Sequence, residues 1–168
     1  MTMPQQKPGK SEQVVCTPPE FLAAVRKRLG IQQFAIDLAA SEGNNVCPFY
    51  FTKETDSLSP IQPWVLHCGS GKGYGWLNPP FAHLAPWVEK CWMESRRGAE
   101  VALLVPNSPG AKWWNDSVRG KGYVTNLTQR IKFVGHEHPY IKDLALVLYA
   151  PYLEGGDCTW RWNAKEAK

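Results

Sequence analysis

A chain of 168 residues with 43% hydrophobic and 20% charged residues has the size and composition of one globular domain with a single core. No window approaches about 18 uncharged apolar residues, which argues against a membrane span, and the first fifteen residues lack the apolar stretch of a secretory signal. The formal charge of +4 permits a polyanionic partner without demanding one, and the five scattered cysteines, with neither a Cys-x-x-Cys pair nor metal-ligand spacing, read as reduced thiols.

Residues 1–15 read as a polar tail that cannot pack. Thr17-Pro18-Pro19-Glu20 opens a helix, with Thr17 as cap and Pro18 in its first turn; Phe21, Leu22, Val25 and Leu29 recur at helical spacing and Gly30 supplies the stop. Residues 33–36 predict a short strand ending at Asp37. Residues 46–51 are a second strand candidate, broken by Pro48, and residues 52–63 are a polar loop carrying Asp56-Ser57-Leu58. Residues 64–67 and 73–77 flank a glycine-rich connection and predict two strands or a hairpin. A helix follows over 86–96, then a fully apolar strand over 100–106, a short helix over 111–118, a strand-like stretch over 123–134 and a buried strand over 143–149. Strands separated by helices predict an α/β domain with a mostly parallel sheet. Its expected limits are 16–152, with residues 153–168 as a C-terminal tail.

Asn78-Pro79-Pro80-Phe81 stands directly after the apolar run Tyr74-Gly75-Trp76-Leu77. An exocyclic amine such as adenine N6 is a poor nucleophile because its lone pair is delocalised into the ring. Two acceptors, the Asn78 side-chain oxygen and the Pro79 carbonyl, would bind its two hydrogens and favour a tetrahedral nitrogen in the transition state. The two prolines stiffen the loop and donate no N–H, and Phe81 is placed to stack on a base. The plain alternative is a Pro-Pro turn that ends a strand. Asp37, at a strand end before the small residues Ala39, Ala40 and Ser41, suits the approach of a cationic methyl donor, and equally suits an ordinary strand-to-turn aspartate. Asp56, about twenty residues before Asn78, has the same two readings, adenine-amine acceptor or turn former.

The ordered series Thr17-Pro18-Pro19-Glu20, Asp37-Leu38-Ala39-Ala40-Ser41, Cys47-Pro48-Phe49-Tyr50-Phe51-Thr52, Asp56-Ser57-Leu58, Trp76-Leu77-Asn78-Pro79-Pro80-Phe81 and Pro86-Trp87 resembles the phage-type DNA N6-adenine methyltransferases of the Dam family. The likeness continues through Val101-Ala102-Leu103-Leu104-Val105-Pro106, Trp113-Trp114, Arg130-Ile131-Lys132-Phe133 and Ala145-Leu146-Val147-Leu148, and so covers residues 15–151. It implies a Rossmann-like, S-adenosyl-L-methionine-dependent enzyme, phage or prophage encoded, acting on double-stranded DNA in the bacterial cytoplasm. It further implies Asn78, Pro79, Pro80 and Phe81 as the catalytic loop, and Thr17, Pro18, Asp37, Ala39, Asp56 and Leu58 at the cofactor. The chain departs from the broader class in lacking a Phe-x-Gly-x-Gly cofactor loop, and no ribose-binding acid stands out beyond Glu42 and Glu54.

Other chemistries fit less well. Gly69-Ser70-Gly71-Lys72-Gly73 lacks the spacing of a phosphate loop. His136-Glu137-His138 offers two histidines without a third metal ligand, so no metal is expected. Cytosine C5 methylation requires a loop cysteine that is absent from residues 78–81. N4-cytosine methylation remains chemically open, since the same acceptor pair suits any exocyclic amine. Lys112, Arg130, Lys132 and Lys142 are the leading candidates for phosphate contacts, with Arg96, Arg97, Arg119 and Lys121 behind them; lysines on a solvated face are the alternative. Residues 130–142 are the expected target-recognition edge. The expected activity is transfer of a methyl group to N6 of a flipped adenine by direct displacement. RNA or protein-amide N-methylation, or a non-catalytic DNA-binding homologue, are the competing readings.

Overall fold

A strand buried at every residue needs a packed layer on both of its faces, and Val101–Pro106 is such a strand. In the computed structural model, which describes residues 15–167, it lies near the middle of a six-stranded sheet ordered β1-β2-β3-β5-β4-β6. The strands are β1 (Ile36–Asp37), β2 (Gly75–Leu77), β3 (Val101–Pro106), β4 (Tyr123–Leu127), β5 (Leu144–Tyr149) and β6 (Gly156–Trp160). Only β5 runs against the others, between β3 and β4. The class is therefore α/β with a mostly parallel sheet. All but residue 15 of the expected N-terminal tail lies outside the described residues.

Side chains alternate across the sheet and build two cores. Leu77, Val101, Leu103, Val105, Val147 and Tyr149 pack on one face with α2 (Leu84–Arg96) and Trp114 of α3 (Lys112–Ser117). Trp76, Ala102, Leu104 and Leu146 pack on the other with α1 (Pro19–Leu29), Ile131, Phe133, Trp160 and Trp162. Burying Phe21, Leu22 and Val25 of α1 contributes about 1.5–3 kcal/mol for each side chain. Gly75 sits at a close approach in β2: a Cβ there would lie 3.0 Å from Leu38 Cδ1 and 3.1 Å from Cys68 Sγ, so those side chains would have to shift by a few tenths of an ångström.

Several expected elements differ. Thr17 makes no cap; Pro18 is the N-cap residue of α1 and no side chain caps the helix. Residues 64–67 are not a strand: Trp64–Leu66 is a short 3-10 turn, so β2 pairs in parallel with β1 and β3 rather than in a hairpin. The candidate strand at 46–51 reduces to a single parallel bridge between Asp37 and Tyr50. α2 begins at Leu84 because Pro86 is tolerated in a first turn. β4 ends at Leu127, well before residue 134. Within the expected C-terminal tail, Gly156–Trp160 forms β6 and extends the sheet beside β4. Trp162 then folds back so that its ring meets Phe21 of α1 edge-on at 4.9 Å.

Candidate active site at the carboxyl edge of the sheet

Parallel strands place their carboxyl ends at one edge, and α/β proteins bind ligands there. Asp37 ends β1 in register with Trp76 of β2, and the Leu38 N–H donates to the Trp76 carbonyl at 2.9 Å. The turn carrying Ala39 and the loop carrying Asn78 therefore leave neighbouring strands at the same edge of the sheet.

Asn78 is half-buried and firmly oriented. Its Nδ2 donates to the Val15 carbonyl at 3.0 Å and to Thr17 Oγ1 at 3.1 Å. A side-chain amide nitrogen carries two hydrogens, so both are committed and Oδ1 faces the other way. Among the described residues neither Oδ1 nor the Pro79 carbonyl accepts a hydrogen bond. Ser41 Oγ is the only fully buried side-chain nitrogen or oxygen without a partner among the described residues, so the unpartnered Asn78 Oδ1 is not sealed from solvent. The corner thus leaves two acceptors without a partner among the described residues. Pro79 is buried, and the Pro80 carbonyl takes the His83 N–H at 3.4 Å, turning the chain into α2.

Phe81 packs against both cores and meets Tyr140 at 5.5 Å and Phe133 at 6.3 Å, each edge-on; Phe133 and Tyr140 are 5.9 Å apart. Both partners come from the loop between β4 and β5. That loop also forms a pocket of about 270 Å³ lined by Phe133, Tyr140, Ile141 and His136-Glu137-His138. The segment expected to recognise a target therefore does meet the Asn78 loop, through aromatic rather than charged residues.

Asp37 is 3% exposed, and its two carboxylate oxygens accept the Ala39 N–H at 3.2 Å and the Val46 N–H at 3.1 Å. Burial raises its pKa to about 6, with the two backbone hydrogen bonds opposing the rise. It remains mostly ionised at neutral pH and shapes the turn carrying Ala39, Ala40 and Ser41. Burial, reinforced by the Asp37 charge, pushes the nearby Cys47 thiol up to about 11, which leaves little thiolate for nucleophilic chemistry.

Asp56 sits exposed on its turn with φ 44°, a left-handed conformation uncommon outside glycine. The loop beneath it is anchored: Trp64 Nε1 donates to Ser57, and Lys90 Nζ donates to the Ser59 and Gln62 carbonyls at 2.8 and 2.9 Å. Leu58 is half-buried beside it. Pro18 is buried and its carbonyl takes the Phe21 and Leu22 N–H groups of α1. Among the basic candidates, Lys112 pairs with Asp116, and Arg130 Nε lies 3.6 Å from Asp143. Lys132 and Lys142 are exposed and flank the aromatic loop.

The family model described as DNA N-6-adenine-methyltransferase (Dam) matches residues 6–143. The chain belongs to this family. A DNA N-6-adenine-methyltransferase of Escherichia phage T1 is 30% identical over 101 residues, covering 60% of this chain and 39% of the relative. Another, of Haemophilus phage HP1 (strain HP1c1), is 27% identical over 107 residues, covering 62% of this chain and 57% of the relative. The match thus spans between about two fifths and three fifths of those relatives' lengths. No solved structure matches significantly. The Dam match takes in the strap at residues 15–17, the Asn78 loop and the aromatic loop alike. Sequence reasoning missed Val15, Phe133 and Tyr140 as parts of this corner. The signal available for the last two was a pair of aromatics inside the expected recognition segment.

Proposed function

We propose that this Dam-family protein transfers a methyl group from S-adenosylmethionine to N6 of an adenine flipped out of double-stranded DNA, in the bacterial cytoplasm and from a phage or prophage gene. The observation that carries the reading is the orientation of the Asn78 amide, whose donors are occupied and whose acceptor is presented beside the Pro79 carbonyl.

The residues at the edge fit the methyl donor. Ala39 and Ala40 leave room against the backbone, the ionised Asp37 lies beneath the turn, and the orphaned hydroxyl of Ser41 stands just beyond it. Pro18, Ala39, Asp37, Asp56 and Leu58 would hold it, while Thr17, expected among them, turns its hydroxyl to the Asn78 amide instead. When bound, it would supply a methyl group on a sulfonium, electrophilic enough to be attacked without a covalent relay through the protein, the carbon–sulfur bond breaking to leave a neutral thioether.

Asn78 Oδ1 and the Pro79 carbonyl accept the two N6 hydrogens. Their pull concentrates the nitrogen lone pair as positive charge develops there, and one proton then leaves to water. Both acceptors are held in place before reaction, so little reorganisation opposes the step. Phe81, braced by Phe133 and Tyr140, supplies the face on which the base stacks, and this offsets part of the few kcal/mol that unstacking costs. Lys132 and Lys142 would meet the phosphates, with Lys112 and Arg130 joining once released from their acidic partners.

The test follows label from methyl-labelled S-adenosylmethionine into DNA, RNA and protein. N6-methyladenine in duplex DNA supports the reading. Label confined to RNA or protein, or absent from all three, overturns it.

A further inference from the structure

Residues 15–17 run between the two loops that make the active corner. Val15 and Thr17 hold the Asn78 amide, and between them the Cys16 carbonyl accepts the Val134 N–H at 3.0 Å. Thr17 is 7% exposed and lies just ahead of Pro18, yet its hydroxyl caps nothing on α1. An asparagine amide has two faces that differ in chemistry and hardly at all in shape. Turned by half a rotation, Asn78 would offer N–H donors to an amine that itself has only hydrogens to give. The local fold of a Pro-Pro loop does not choose between these states. Two acceptors on the far side do.

We propose that Thr17 is a positioning residue: its hydroxyl, with the Val15 carbonyl, locks the Asn78 side chain in the rotamer that presents oxygen rather than nitrogen to the methyl-accepting amine. The inference rests on the methyl-transfer reading for its consequence but not for its geometry. The same pair explains why position 78 carries asparagine rather than aspartate, since a carboxylate oxygen would face the Val15 carbonyl at 3.0 Å with no hydrogen between them.

Thr17→Val keeps the shape and removes the acceptor; Thr17→Ser keeps the acceptor. Thr17→Val is expected to lower kcat for DNA methylation about 10-fold, the scale of one hydrogen bond, while KM for DNA and Kd for S-adenosylmethionine stay within about twofold. Thr17→Ser restores kcat to within about threefold. Wild-type kcat in Thr17→Val, equal loss in both variants, or a change confined to cofactor Kd overturns the proposal, the last making Thr17 a cofactor contact. A measurement on the unaltered protein needs neither variant folding nor activity: the Asn78 side-chain NH2 hydrogens should exchange with solvent at least 10-fold more slowly than a free amide. Exchange at the free-amide rate overturns the lock. Slow exchange in a protein that methylates no DNA would sink the proposed function and leave the lock standing.

Discussion

The two edges of the sheet are built from similarly tight turns but finish their hydrogen bonding differently. At the amino edge, the connection into β2 runs through Gly69, Ser70, Gly71 and Gly73, all with positive φ. It closes on itself with the Gly69 N–H on the Gly73 carbonyl at 2.8 Å and packs against the turn after α2. At the carboxyl edge, Asn78 Oδ1 and the Pro79 carbonyl stay unengaged among the described residues although everything around them is pinned. The first edge has its groups satisfied; the second keeps the acceptors that the proposed function uses. The glycine-rich loop, whose spacing already fails as a phosphate loop in the sequence, closes on its own backbone.

Replacing Asn78 by Ala tests that contrast most severely. Removing the presented acceptor should lower kcat about 100- to 1,000-fold, measured as methyl groups transferred per enzyme under saturating substrate. A variant within tenfold of wild type would place the chemistry elsewhere.

The buried Asp37 predicts a pH dependence of stability. Its folded pKa of about 6 lies above the ordinary 3.8, so between those values the folded chain binds more protons than the unfolded one. Stability therefore falls as pH rises through that window, by about 3 kcal/mol from this group alone. Urea melts from pH 4 to 7 should show the fall in wild type and a flatter profile in Asp37→Asn. Equal slopes would assign the charge a solvated environment.

At the opposite edge, Gly69→Ala should cost about 2 kcal/mol or more in denaturant melts, because a Cβ there would lie 2.0 Å from the Gly98 carbonyl oxygen at a φ of 81°. Activity per folded molecule should not change. Lost activity at full stability would reverse the assignment of the two edges.

The smallest effect belongs to the exposed lysines. Lys132→Ala with Lys142→Ala should weaken DNA binding evenly across sequences and reduce the salt slope of log K by about 2, read by titration at several ionic strengths. An unchanged slope would move the DNA path away from the aromatic loop.

Much of this was legible in the residues. The helix patterns around Phe21 and Trp87, the apolar strands at Val101 and Leu144, and the Asn78 loop all carry local signatures, and the structure places them within a few residues of expectation. What stayed hidden depends on partners distant in sequence. Thr17 reads as a helix cap because its neighbours are Pro18, Pro19 and Glu20; its actual partner lies 61 positions away. Trp64-Val65-Leu66 reads as a strand by apolarity, but Pro63 and the pull of Ser57 and Lys90 on the Trp64 ring coil it. β6 escapes notice because Gly156, Asp157 and Thr159 face solvent along an edge and show no alternating apolar pattern. The aromatic support of Phe81 arises only where β4 and β5 deliver their loop.

Because its parts are contributed by stretches around positions 16, 78 and 137, the corner closes over long separations, and each such closure costs loop entropy. A nascent or partly denatured molecule could own a finished sheet and still leave the Asn78 amide spinning. The set of the Asn78 amide is thereby a local readout of whether the amino-terminal strap has docked, separable from the formation of the sheet itself.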